Sequence, residues 1–251
     1  PPRSTPSNSS AASDVYKRQV SERLISRYLW VERIGYLDRV FLTHPERDHI
    51  GAFPFLARVF RPVEFFYSRR HVSYPGRGNR IGAGWLFVRG GIVHEVIHPE
   101  ISRADQMSPN DASLVLLIHY GRFSALFTGD VGSGVEKRLA SRIGPVVLLK
   151  VAHHGAGSST PGILLKSAGP EIAWISAGRD NPFGHPSSKV LERLRDADVR
   201  TFSTKEWGTL RIETDGATWR MQSYSLQEGS FVDRIGPSSI DECTAVAPEL
   251  E

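Results

Sequence analysis

The sequence predicts an α/β fold, and three observations predict it. An almost wholly apolar run from Val146 to Ala152, broken only by Lys150, reads as a strand covered on both faces. From there to Ser203 extended and helical patterns alternate, as a sheet with crossover helices requires. Apolar runs also end repeatedly in clusters of His, Asp or Asn, which is how buried strands deliver polar groups to the rim of a sheet.

Composition sets the outer limits. With 251 residues, 40% apolar and 23% charged, the chain can bury a core of ordinary size. No apolar run approaches the roughly 20 residues that cross a bilayer. A lone Cys243 rules out a disulfide framework and a cysteine-based metal site. A formal charge of +4 permits a polyanionic substrate without demanding one. Residues 1–19 are rich in Ser, Pro and Ala and read as a disordered or non-native leader. Residues 20–226 read as one domain, and 227–251 as a polar tail.

In order, Leu24, Ile25, Tyr28 and Leu29 recur at helical spacing between Val20 and Tyr36, with Gly35 as a stop. Asp38 to Thr43 reads as a strand. It ends in His44-Pro45-Glu46-Arg47-Asp48-His49, two histidines and two carboxylates in six residues. Imidazole and carboxylate both bind divalent ions, so His44, Glu46, Asp48 and His49 are candidate metal ligands. A helix from about Asp48 to Phe60 and a short strand, Val63 to Tyr67, come next. Ser68 to Arg80 interleaves Arg69, Arg70, Arg77 and Arg80 with Tyr74 and glycines, a composition suited to phosphate contact or to a solvated loop.

Trp85–Arg89 and Ile92–Ile97 read as a hairpin about Gly90-Gly91. Strands Leu114–Tyr120 and Phe123–Phe127 lead to Thr128-Gly129-Asp130, and a helix runs from Gly132 to Ser141. The strand Val146–Ala152 ends in His153-His154-Gly155. Adjacent side chains on an extended chain point apart, so one of the two histidines is expected at the metal. Helix Pro161–Ala168, strand Glu171–Ser176, the segment Asn181-Pro182-Phe183-Gly184-His185-Pro186 and helix Ser187–Ala197 complete the alternation. Asn181 and His185 offer an amide and an imidazole at a strand end, and His185 suits a ligand, a proton donor or a phosphate contact. Strands at Arg200–Ser203, Thr209–Thr214 and Trp219–Tyr224 close the fold. No internal repeat is present.

Thr43 to Gly51 resembles the His-x-[His/Asp/Glu]-x-Asp-His signature of the metallo-β-lactamase superfamily. Thr128-Gly129-Asp130, His153-His154-Gly155 and Gly184-His185-Pro186 follow in that family's order, over roughly Val20 to Tyr224. The Asn181 to Pro186 segment is similar to the hydrolase-like carboxy-terminal domain of the ComEC family of DNA-uptake channels. The resemblance implies an αββα sandwich with one or two divalent ions, Zn²⁺ or Mn²⁺, at one edge, and Asp130 as the ligand that typically bridges two. It also implies a bacterial phosphodiesterase acting on single-stranded DNA during uptake, joined to a membrane channel through a longer parent chain.

The chain departs from the family twice. Nothing upstream of Val20 matches its first strands, which predicts an amino-terminal truncation and an unpaired sheet edge. Its extra ligand histidine has no match at Asn110-Asp111, where only His98 stands near.

Bound divalent ions lower the pKa of water from about 15.7 toward 7 to 9 and so supply hydroxide at neutral pH. Without a nucleophilic Ser or Cys in these motifs, that hydroxide is the expected nucleophile. Asp48, or His185 through water, is the expected proton carrier. The alternatives are a lactam, lactone or thioester hydrolase of the same fold, or a non-catalytic DNA-docking module.

Overall fold

Two-residue alternation along the central strands sorts side chains onto two faces, and the layers follow from what buries each face. The computed structural model describes residues 22–70, 78–225 and 229–239. In chain order they form α1 (residues 22–31), β1 (Arg39–Leu42), α2 (Arg47–Ile50), α3 (Phe53–Phe60), β2 (Glu64–Tyr67), β3 (Asn79–Arg80), β4 (Trp85–Arg89) and β5 (Ile92–His98). There follow β6 (Val115–Tyr120), β7 (Phe123–Phe127), α4 (Ser133–Leu139), β8 (Leu148–Lys150), α5 (Gly162–Ala168), β9 (Ile172–Ile175) and α6 (Ser188–Asp196). Last come β10 (Arg200–Ser203), α7 (Thr204–Trp207), β11 (Leu210–Thr214), β12 (Thr218–Ser225) and β13 (Ser230–Ser239).

Seven strands make the central sheet, in the order β10-β9-β8-β7-β6-β5-β4. Strands β7 to β10 are parallel, and β4 to β7 antiparallel. On one face Val115, Leu117, Leu126, Leu149 and Ala173 meet Val135 and Leu139 of α4, Leu164 and Leu165 of α5, and Val190 and Leu194 of α6. The alternate residues Phe123, Ala125, Leu148 and Ile172 meet Trp219 and Met221 of the sheet β11-β12-β13. Further along that face, Val96 and Leu116 meet Phe66 of the sheet β1-β2-β3. Outside this sheet, Leu42 and Phe65 pack against Ile50 and Phe53. The order of layers is therefore helix, sheet, sheet, helix: the αββα sandwich that the motifs implied.

Several boundaries differ from expectation. The helix expected over 48–60 is two helices, because Pro54 has no N–H to donate and favours the first turn of a new helix. The seven-residue apolar run yields only three residues of β8. Residues 230–239, read as tail, form β13, which pairs antiparallel with β12 and sets Tyr224 opposite Phe231. Isolated apolar residues such as Phe231 and Ile235, set among polar ones, hid that strand. Among the described residues β1 has β2 as its sole strand neighbour. No helix among them is long and apolar enough to cross a membrane. The leader 1–19, Tyr74, Arg77 and Cys243 lie outside the described residues.

One buried acid holds the loop that follows the paired histidines. Glu136 on α4 is 1% exposed and accepts a hydrogen bond from the Thr160 amide at 2.8 Å. Arg193 on α6 donates to the carbonyls of Gly157, Ser159 and Thr160. Burial pushes the Glu136 carboxyl up from 4.5 to about 7, and the Thr160 amide and Arg193 only partly oppose it. A carboxyl raised in the fold stabilises most below its unfolded value and loses that contribution as pH rises through its folded value. Between pH 4.5 and above 7 the loss is on the order of 3 kcal/mol. Glu136→Gln should therefore flatten the fall in stability over this range, measured by urea denaturation at pH 5 and pH 8. Parallel pH profiles for the two proteins would refute the assignment.

Candidate metal centre

The candidate ligands sit where strands β1, β7, β8 and β9 end, at the carboxyl edge of the sandwich. The two sheets are joined there by a hydrogen bond from the Leu114 amide to the Thr43 carbonyl, 2.9 Å long. The His153 amide ties the loop after β8 to the Gly129 carbonyl at 3.2 Å. Loops 43–49, 110–114, 128–131 and 151–155 thus converge.

Three imidazoles are held by one nitrogen and offer the other. His44 is 1% exposed, and its Nδ1 lies 3.1 Å from both the Thr43 and Ser113 hydroxyls. His49 Nδ1 lies 3.2 Å from the same Thr43 hydroxyl. His154 donates from Nδ1 to the Ser176 carbonyl at 2.8 Å, so when neutral it carries a lone pair on Nε2. His49 Nε2 stands 3.4 Å from His154 Nε2 and 3.3 Å from Asp130 Oδ2. Asp48 Oδ2 is 3.2 Å from His154 Nε2. These atoms make two candidate ligand groups that share His49: His44, His49 and Asp130, and Asp48, His49 and His154.

The donors fit a divalent cation. His44 Nε2 and Asp130 Oδ1 are both buried and have no hydrogen-bond partner among the described residues. Leaving such atoms bare costs about 1–3 kcal/mol each, and an ion among them would satisfy both. The charge states of His44 and the two carboxylates suit it too, whereas the Asp48 hydrogen bond raises the pKa of His154. Burial, then His49, lowers His44 to about 4, so it is the neutral imidazole a metal binds. Burial opposes charge on Asp130, yet the hydrogen bond and charge of His49, and then Lys150, hold its carboxyl well below the carboxylate range. The His154 hydrogen bond likewise lowers Asp48.

The remaining predicted residues fall in different places. Glu46 stands at the rim, with a half-exposed side chain whose Oε2 is 3.9 Å from His44 Nε2. His153 turns away from the ligand atoms toward His185, with ring centroids 6.1 Å apart. The two neighbouring rings diverge because the chain is a left-handed turn there, not an extended strand: His153, His154 and Gly155 have φ of 48°, 53° and 82°. Gly155 is required, since a Cβ would lie 2.8 Å from the Pro186 side chain. Asn181 uses its amide within its own loop, donating to the Gly178 and His185 carbonyls and accepting from the His185 amide. It braces His185, and both of its amide hydrogens are used there. Arg69 likewise donates to the Met107 carbonyl, and Arg80 pairs with Asp105 at 2.8 Å. Arg70 remains exposed. His98 is buried against the Asp111 carbonyl at 2.7 Å, where the backbone uses it.

Lys150 carried no role in the sequence reading. Its Nζ lies 3.9 Å from Asp130 Oδ1, and burial lowers its pKa against the pull of Asp130 and Asp48. The available signal was a single charge in an otherwise apolar strand, three residues before His153. Ser113 was also passed over, though its hydroxyl faces His44 and accepts from the Asp130 amide at 3.2 Å. Removing such an anchor typically weakens metal binding 10–100-fold. Ser113→Ala should lower divalent-ion affinity by about that factor when metal-stripped protein is titrated in a calorimeter. Unchanged affinity would mean that Ser113 does not orient a ligand.

No family model matches the chain. It is 31% identical over 195 residues to "Recombination protein 2" of Haemophilus influenzae, covering 77% of this chain and 24% of that protein. It is 30% identical over 207 residues to "ComE operon protein 3" of Bacillus subtilis, covering 76% and 26%. The chain thus spans about a quarter of the length of the curated relatives it matches. Among solved structures, the metallo-β-lactamase fold protein YhfI of Bacillus subtilis superposes with a TM-score of 0.41 at 14% identity, covering 66% of this chain and 74% of that one. The chain is a homologue of the ComEC-like competence proteins over about a quarter of their length, and its layers form an αββα sandwich.

Proposed function

We propose that the chain is a divalent-metal-dependent phosphodiesterase that cleaves DNA, with single strands as substrate. The observation that carries the metal-dependent part is the convergence of three anchored imidazoles and two carboxylates around bare, buried ligand atoms. The competence relatives supply the DNA part. His44, His49 and Asp130 would hold one ion, and Asp48, His49 and His154 either share it or hold a second, with Glu46 at the rim. When bound, such an ion supplies Lewis acidity and makes water a competent nucleophile near neutral pH.

The chain's own residues account for the rest. Asp48, ionised at neutral pH and half-exposed, accepts the proton of the attacking water. Lys150 balances Asp130, leaving that carboxylate free to face the ion. His185 is kept unprotonated at neutral pH by burial and by His153, and it hydrogen-bonds the leaving oxygen. Arg70 attracts the phosphate backbone from the exposed loop beyond β2. In a longer parent protein this arrangement would act beside a membrane channel on a strand in passage.

Labelled single- and double-stranded DNA, incubated with the protein with and without chelator, tests the proposal. Cleavage should require the ion and be faster on single strands. Binding without cleavage would instead favour a docking module, and hydrolysis of nitrocefin or a lactone would favour another hydrolase of this fold. The carboxylate-rich ligand set leads to a second expectation. Oxygen ligands favour harder ions, so metal-stripped protein should recover more activity with Mn²⁺ than with Zn²⁺, and Glu46→His should narrow the difference. Full activity with Zn²⁺ alone, unaffected by that substitution, would overturn this.

A further inference from the structure

Phe183 has the highest exposure of any large apolar side chain among the described residues, at 76%. An aromatic ring in water on a loop loses hydrophobic stabilisation, and a loop free to rearrange would tuck it in. This loop is not free. Asn181 makes three hydrogen bonds across it, and Ala177 at its base is bound on both sides to the Thr204 hydroxyl. Pro186 at its far end abuts Gly155, and the Ser187 amide donates to the Gly155 carbonyl. Phe183 is therefore held out over the protein surface by a braced frame.

Its position relative to the metal centre is specific. Phe183 lies nearly parallel to His185, with centroids 5.9 Å apart and planes 21° apart. From His185 the rings continue to His153 at 6.1 Å, His154 at 6.5 Å, His49 at 5.3 Å and His44 at 4.0 Å. A row of rings thus runs from an exposed phenyl group to the buried candidate ligands. Arg179 on the same loop is exposed, and its Nε donates to the Lys205 carbonyl at 3.2 Å.

We propose that Phe183 is the stacking platform for the base of a nucleotide flanking the phosphate at the metal centre, and that it sets the preference for single-stranded DNA. Exposed aromatic rings are how proteins grip single strands without reading their sequence, because every base has a π-face. Duplex bases already stack on one another and cannot reach the ring without being unpaired. The inference rests on the nuclease reading.

The test uses the full chain and its Phe183→Ala and Phe183→Trp variants. The substrates are oligothymidylate and an abasic oligomer of the same length. Phe183→Ala should raise KM for oligothymidylate about tenfold, within the range measured for base stacking, while KM for the abasic oligomer moves less than twofold. Phe183→Trp should restore the wild-type value. In parallel, chelator-treated wild-type protein should quench an oligonucleotide carrying 2-aminopurine, and Phe183→Ala should not. Equal loss on both oligomers, no loss on either, or the same quenching by both proteins would overturn the platform. If the wild type cleaves neither oligomer, nor the small diester methyl p-nitrophenyl phosphate, the nuclease reading fails. The 2-aminopurine signal would then decide the stacking question alone.

Discussion

Everything at the rim of the sandwich depends on keeping two polar atoms, His44 Nε2 and Asp130 Oδ1, buried and without a hydrogen-bond partner among the described residues. A fold selected for stability alone would have paired or exposed them. Here the surroundings do the reverse. Hydroxyls of Thr43 and Ser113 hold the far side of the His44 ring, and the Ser113 hydroxyl also holds the Asp130 backbone amide. One serine therefore fixes two ligands at once, and a bound ion would return the stabilisation that the bare atoms forgo.

The layers explain why this cluster forms at one edge only. Strands β7 to β10 run parallel, so their carboxyl ends, and the loops that follow them, share one rim. In the second sheet β1 runs parallel to β2, and its carboxyl end meets that rim at the Leu114–Thr43 hydrogen bond. Loop 43–49 contributes His44, Asp48 and His49, the loops after β7 and β8 contribute Asp130 and His154, and none of them forms the site alone. The left-handed turn at His153–Gly155 is a costly local conformation, at roughly 1–3 kcal/mol for each non-glycine residue. The contact of Gly155 with Pro186 and the bonded Ser187 amide hold that turn in place.

The sequence made the layers legible because burial on both faces leaves apolar runs, and because polar clusters interrupt them abruptly. It also showed which loops carry imidazole and carboxylate. The second partners were not legible. Ser113 lies 69 residues from the ring it holds, and His154 is held by a backbone carbonyl, which has no sequence signature. Asn181 and Arg69 looked like substrate contacts because their side chains are polar and their loops lie near the site. Only coordinates show that each also binds the backbone. Strand β13 escaped notice because strand pairing is a property of its neighbour β12 as much as of its own residues.

Charge balance at the rim connects ion and substrate on the nuclease reading. Asp48 and Asp130 face the Lys150 ammonium and His154, whose pKa the Asp48 hydrogen bond raises, while His44 is kept neutral by burial. A divalent ion would add positive charge at the rim, which favours the approach of a phosphodiester as well as activating water. Glu46 sets the margin. Drawn from its half-exposed position onto the ion, it is neutralised; left in solvent, it repels the approaching phosphate. A neutral lactam or lactone would be indifferent to this choice, whereas a DNA strand would not be. On this reading Glu46 is therefore where ion identity and substrate class become coupled.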